Sequence, residues 1–335
     1  APSRAAILSG RYGTRFGFEF TPTPAAMMPA MAMVMSADPA PRRPGLANFD
    51  ARSIPTAEMG MPSSEISLAE TLKSAGYHTV HIGKWHVGEA DGMAANDQGF
   101  DESLNMGGAL FLPEDHPDVV NSKQDFDPID RFLWAAGGYA VQFNKGPAFE
   151  PEGHVADYYT DQALEVIRAN RNRPFFLYLA HWAIHTPLQA TRADYDAYPG
   201  IESHTERTYA GMIRALDRSV GRVLDELRAQ GLEENTLVIF TSDNGGAGYL
   251  GLPDVNAPFR GWKLTFFEGG VHVPYMMQWP ARIEPGQTFH EPVHHFDVYA
   301  TAAAAAGVPL PDDRKMDGVD LVPFANGAAE GVPHE

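Results

Sequence analysis

The chain contains no cysteine. Disulfides and thiolate metal sites are therefore excluded, and the redox compartment stays undetermined. Basic residues are scarce beside acidic ones: 25 Lys and Arg stand against 43 Asp and Glu, giving a net charge of −18. That balance argues against nucleic acid or an anionic membrane as the main partner. It leaves room for an anionic substrate held in a local cationic pocket. No apolar run reaches the length of a transmembrane helix. No fixed-period repeat and no signal peptide are visible, and the chain opens on Ala1 rather than Met. The lack of a signal peptide carries little weight, because the first residues read as the inside of a motif.

What remains is 335 residues with 44% apolar content, enough for one large α/β domain or two smaller ones. Apolar strand-like runs recur, and polar groups gather where each run stops. Thr236-Leu237-Val238-Ile239-Phe240 has the length and branching of a buried parallel strand. It changes abruptly into Thr241-Ser242-Asp243-Asn244-Gly245-Gly246. In open α/β sheets ligands bind beyond the carboxyl ends of strands. Asp243 and Asn244 offer hard oxygens suited to Ca²⁺ or Mg²⁺. The plainer reading is a turn, which Asp-Asn-Gly-Gly commonly makes.

The same arrangement appears twice more. Ser67–Gly76 reads as an amphipathic helix with a C-terminal Gly, followed by a strand over 77–83 and then Lys84-Trp85-His86. Lys84 and His86, two apart, share a face in extended chain, which suits an anion and proton transfer. The plainer reading is a loop Lys and a His packed by Trp85. Phe175–Ala180 is a further apolar strand, ending in His181-Trp182-Ala183-Ile184-His185. Helices are expected over 155–170, 206–230 and 296–306. In the second of these, Met212, Ile213, Leu216, Val220, Val223, Leu224 and Leu227 trace one stripe. Pro2–Ser9 reads as a short helix closed by Gly10, with Arg4 and Arg11 two turns apart on one face. Residues 21–62 read as an irregular excursion and 91–153 as a long insertion with short elements. His78 and His81 are expected to pack inside a strand. Helix–strand alternation over 67–306 argues for an α/β fold with a mostly parallel sheet.

Taken together, these stretches resemble the sulfatase family of the alkaline-phosphatase-like superfamily. Ala1-Pro2-Ser3-Arg4 followed by Leu8-Ser9-Gly10-Arg11 is similar to the signature Cys/Ser-x-Pro-Ser-Arg, four residues, Thr-Gly-Arg. His81-Ile82-Gly83-Lys84-Trp85-His86-Val87-Gly88 resembles Gly-Lys-Trp-His-Leu-Gly. Ser242-Asp243-Asn244-Gly245 and Lys263 through Glu268-Gly269-Gly270 resemble later family blocks. The resemblance implies a mixed, mostly parallel central sheet with helices on both faces. It implies hydrolysis of sulfate monoesters by a formylglycine nucleophile, made from Cys or Ser by the formylglycine-generating enzyme. Asp243 and Asn244 would bind one divalent cation, usually Ca²⁺, with Mg²⁺ or Mn²⁺ as alternatives. Lys84 and Lys263 would hold the sulfate oxygens. His86 would act as base, His185 would contact the sulfate or protonate the leaving oxygen, and Arg4 would orient the nucleophile.

Three departures from the family pattern accompany it. The nucleophile position would precede Ala1, a family pair of Asp ligands lies further upstream, and a C-terminal subdomain would follow residue 335. Residues 1–335 are thus expected to be a sulfatase-like N-terminal catalytic domain lacking its first strand and nucleophile, a fragment inactive by this mechanism. Loss of that strand would leave a sheet position unpaired. Ser9 replaces the Thr of the signature. The competing readings are a phosphonate monoester hydrolase or phosphodiesterase of the same superfamily, and a non-catalytic binding relative. Substrates span aryl sulfates, sulfated sugars and glycosaminoglycans, with their determinants expected in 12–60 and 100–150. The resemblance favours a periplasmic or secreted protein.

Overall fold

The computed structural model describes residues 2–19 and 59–334. The expected excursion over 21–62 lies outside them except at 59–62. In chain order the helices are α1 (Pro2–Ser9), α2 (Leu68–Ser74), α3 (Pro128–Ala136), α4 (Val155–Ala169), α5 (Arg192–Asp196), α6 (His204–Ala229), α7 (Glu268–Val271), α8 (Asp297–Ala305) and α9 (Val322–Ala325). The strands are β1 (His78–Gly83), β2 (Glu102–Met106), β3 (Val119–Ser122), β4 (Val141–Phe143), β5 (Ala148–Phe149), β6 (Phe175–Ala180), β7 (Leu188–Thr191), β8 (Val238–Thr241) and β9 (Tyr275–Gln278).

The main sheet runs β5-β4-β2-β1-β6. β1 is parallel to both β2 and β6, whereas β4 and β5 join antiparallel at the far side. The fold is therefore mixed α/β, as expected. Period-two alternation splits the sheet into two cores. Val80 and Ile82 of β1 pack with Val155, Tyr159 and Ala163 of α4 and Met212 of α6. Phe176 and Tyr178 of β6 face the other way, toward Ala5, Leu8, Ala69 and Phe100. α2 starts where Ser67 closes a reciprocal capping box with Glu70, satisfying two backbone donors.

Four expectations change. The stretch 91–153 is not simply an insertion: it supplies β2, β4 and β5. The polar side chains that disguise β2 are satisfied nearby, since Ser103 Oγ donates to Asn96 Oδ1 at 2.8 Å and accepts from Asn105 Nδ2 at 3.1 Å. β8 pairs antiparallel with β9 rather than in a parallel array. Arg4 and Arg11 do not act together, because α1 stops at Ser9 and Arg11 turns to Glu65, with Nη1 2.7 Å from both carboxylate oxygens. Lastly, β6 up to Leu179, all of β8, and Leu216, Val220, Val223 and Leu224 of the α6 stripe are only partly buried despite their apolar sequences.

That partial burial has one geometric cause. A cavity of about 1350 Å³ is lined by all of β6, all of β8, and Ile213, Leu216, Val220, Val223, Leu224 and Leu227 of α6. Among the described residues β6 is the last strand of its sheet and β8 pairs only with β9, so two strands with an unpaired edge border one apolar slot. Val298 and Ala302 of α8 line it as well.

Candidate active site at three strand ends

Lys84, His185 and Asp243 follow the carboxyl ends of β1, β6 and β8, and Arg4 of α1 and Lys263 of the loop before α7 reach the same place. At the end of β1, Gly83 has φ 107° and a Cβ there would lie 2.1 Å from the Ala180 carbonyl oxygen. Only glycine permits this approach. It lets Lys84 N–H donate to Ala180 O at 2.7 Å, so Lys84 starts beside the end of β6. The Lys84 side chain is buried. Its ammonium lies 4.6 Å from the centroid of Trp182, a cation–π contact.

Trp182 in turn stacks on His185, with centroids 4.0 Å apart and planes 21° from parallel. The Trp182 indole N–H donates to Ala109 O at 2.8 Å, fixing the platform. His185 Nδ1 lies 2.6 Å from the Thr186 carbonyl, which can only accept, so Nδ1 carries the proton. That leaves the Nε2 lone pair facing Lys263 Nζ at 2.8 Å. The chemistry is consistent with the electrostatics. Burial pushes the His185 pKa well below its usual value, and Lys263 and Lys84 push it further. Burial and Arg4 lower the Lys84 ammonium well below its usual range. Burial also lowers Lys263, against the pull of Asp243.

Asp243 follows β8. Arg4, on α1, donates through Nε to Asp243 Oδ2 at 2.8 Å and through Nη1 to the Lys84 carbonyl at 2.8 Å. One guanidinium therefore joins the ends of β8 and β1. Burial alone would raise the Asp243 carboxyl, but Arg4, Lys84 and Lys263 outweigh it and hold the group far below the usual carboxylate range. Asn244 donates through Nδ2 to Gly245 O at 2.9 Å, a bond that leaves its Oδ1 uncommitted. Asp243 and Asn244 thus fit as a carboxylate and an amide oxygen for a hard divalent cation. Among the described residues no group of three or more carboxylates or histidines converges, so these two would be a partial ligand set.

Arg4, Lys84, His185, Asp243 and Lys263 are thus brought together, with Asn244 adjoining. His86 is half-buried, and its φ of 59° takes the chain out of extended conformation, so it does not share a face with Lys84 for the reason expected. His181, four residues nearer β6, points elsewhere: its Nε2 lies 2.8 Å from Ser219 Oγ. His81 is packed among Trp85, Phe100 and Tyr178 as expected, whereas His78 reaches Glu102 at 2.8 Å. His294 and His295, which precede the helix at Asp297, read from the sequence as residues without a site role; in the structure His295 Nε2 donates to Ser242 O at 2.8 Å, one residue from Asp243. Sequence reasoning missed Asn256, which bridges two loops of the site. Neither carries a local signal: His295 acts on backbone 53 positions away, and Asn256 sits in a loop with no apolar run beside it.

The sulfatase family model matches residues 1–308. The chain is 33% identical over 333 residues to N-acetylgalactosamine-6-sulfatase of Mus musculus, covering 96% of this chain and 56% of the relative. It is 31% identical to steryl-sulfatase of Mus musculus, covering 100% of this chain and 58% of the relative. It therefore spans just over half the length of these curated relatives. The crystal structure of Ps i-CgsB superposes with a TM-score of 0.76 at 29% identity, over 100% of this chain and 66% of that one. A phosphonate monoester hydrolase from Silicibacter pomeroyi shares the fold, with a TM-score of 0.60 at 19% identity, over 99% of this chain and 68% of that one. The match over 1–308, joined to a cationic cluster built at the ends of three strands, makes this chain a member of the sulfatase family.

Proposed function

We propose that this chain carries the greater part of a site that hydrolyses sulfate monoesters, with a sulfated sugar as the favoured substrate class. The observation that carries this reading is the line Lys84–Trp182–His185–Lys263 beside the Arg4–Asp243 pair. A sulfate monoester spreads negative charge over its oxygens. Two ammonium groups held without flexible surface conformations are preorganised for that charge. Lys84 and Lys263 bind the sulfate oxygens. The Lys263–His185 pair holds a proton for the departing oxygen: Lys263 is the donor, and the neutral Nε2 of His185 receives its hydrogen bond. Arg4 keeps Asp243 charged and fixes the strand end from which it projects. His86 takes the proton released as the sulfated intermediate breaks down.

A divalent cation, Ca²⁺ or else Mg²⁺ or Mn²⁺, would be held in part by Asp243 and Asn244 and would add positive charge beside the sulfate. A formylglycine hydrate, made by the formylglycine-generating enzyme at the position before Ala1, would supply the attacking hydroxyl. The slot between β6 and β8 supports the domain reading, because two unpaired edges and two helical faces define room for one more strand.

The relatives that exceed 30% identity favour sulfate over phosphonate esters. The test is hydrolysis by a polypeptide extended upstream of Ala1 and carrying formylglycine there. Preference for 4-nitrophenyl sulfate over a phenyl phosphonate monoester supports the reading. The reverse preference would replace it with phosphonate monoester hydrolysis.

A further inference from the structure

The loop bearing Asp243 and the loop bearing Lys263 are joined through one amide. Asn256 Oδ1 accepts from Gly246 N–H at 2.7 Å. Its Nδ2 donates to Gly246 O at 2.9 Å and to Gly261 O at 3.1 Å. These partners fix the orientation of the amide, since a flipped side chain would set its oxygen against two carbonyls. Gly246 O also accepts from Lys263 N–H at 3.1 Å. Three residues after Asp243 and two before Lys263, the backbone is therefore pinned to the same side chain. The fit is close: a Cβ on Gly246 would lie 2.8 Å from Val255 methyls and 3.0 Å from Asn256 Oδ1. A second tie, from Gly245 N–H to Gly270 O at 3.0 Å, joins the Asp243 loop to α7, the helix that follows the Lys263 loop.

We infer that Asn256 is a positioning residue that sets the separation of the Asp243–Asn244 pair from Lys263. It touches no reacting atom and works through Gly246 and Gly261. The inference rests on reading Asp243 and Lys263 as parts of one sulfate site. Asparagine is the residue the geometry requires. Aspartate keeps the acceptor for Gly246 N–H but opposes a carboxylate to two carbonyls. Glutamine adds a methylene that the Gly246 contact leaves no room for. Alanine makes none of the three bonds.

The test uses residues 1–335 as they stand, with amide hydrogen exchange read by NMR and inorganic sulfate as the probe in the presence of CaCl₂. Asn256→Ala should speed exchange of both the Gly246 and Lys263 amides by about tenfold or more, while β1 amides keep their protection. Sulfate affinity should fall about tenfold although every cation remains. Asn256→Asp should leave the Gly246 amide slow and the Lys263 amide fast, and this variant decides the matter if the alanine variant does not fold. Unchanged exchange at Lys263 in both variants overturns the inference, as does faster exchange with unchanged sulfate affinity. If the unaltered chain binds no sulfate, the site reading fails separately, and the exchange pattern alone then judges the Asn256 bridge.

Discussion

Lys263 Nζ and His185 Nε2 lie 2.8 Å apart in a buried setting, with the imidazole proton committed to the Thr186 carbonyl on the other side. The two residues are 78 positions apart and come from the end of β6 and the loop before α7. Because both nitrogens favour a proton and only one is shared between them, the Lys263 ammonium lowers the basicity of His185. Removing Lys263 should therefore be felt at His185.

Lys263→Met should raise the His185 pKa toward its ordinary value, because Lys263 is the largest charge contribution holding it down after burial. NMR titration of the His185 ring measures this directly. The His181 ring, engaged with Ser219, should titrate as before. An unmoved His185 would break the proposed electrostatic link.

Asp243→Asn should destabilise the fold by about 3 kcal/mol, at the lower end for a broken buried pair because the Asp243 side chain keeps 22% exposure. The loss follows from leaving the buried Arg4 guanidinium without its partner. Urea denaturation of the two single variants and of the Arg4→Met/Asp243→Asn double variant measures the coupling. Additive effects would show that the pair contributes nothing of its own.

Stability should fall as the medium is acidified below about pH 6.5. His81 is pushed down to about 3 and His181 to about 4, both mainly by burial. Each is neutral in the fold while its unfolded counterpart takes a proton near 6.5, so the unfolded chain binds more protons and stability rises with pH across that window. At pH 5 a single group such as His81 accounts for roughly 2 kcal/mol relative to pH 8. His81→Leu should flatten this dependence; an unchanged slope between pH 7 and pH 5 would assign it to other groups.

The slot gives a further expectation. Amides of β8, which among the described residues is paired only to β9 and borders the cavity, should exchange faster than those of β1, which is paired on both sides. Fusing an apolar strand-forming segment ahead of Ala1 should slow β8 and β6 exchange together. Slow exchange in β8 without any fusion would mean that the slot is already closed in solution.

Much of this was legible in the sequence. β1, β6, β8 and the polar residues just beyond them could be located, because a run of apolar residues that ends in Lys, His or Asp is a local signal. The helix starts at Ser67 and the stop at Gly10 were legible for the same reason. The partners were not. Arg4 meets Asp243 across 239 positions, and Asn256 acts on the backbone of Gly246, so no residue-type pattern marks either bond. β2 was hidden because its Ser103 and Asn105 are polar, and their side chains are satisfied by a chain of bonds from Asn105 to Ser103 to Asn96. The stripe on α6 was readable as a helix face, but not the cavity it borders.

The measurement closest to the central assignment is a titration of residues 1–335 with sodium sulfate in CaCl₂, followed by NMR at His185 and the lysine ammonium groups, with sodium chloride at matched ionic strength as control. Saturable shifts at His185, Lys84 and Lys263, absent at His181 and abolished in Lys263→Met, are expected if these groups form an oxyanion site. Shifts that match the chloride control, or that survive the Lys263→Met substitution unchanged, would contradict it.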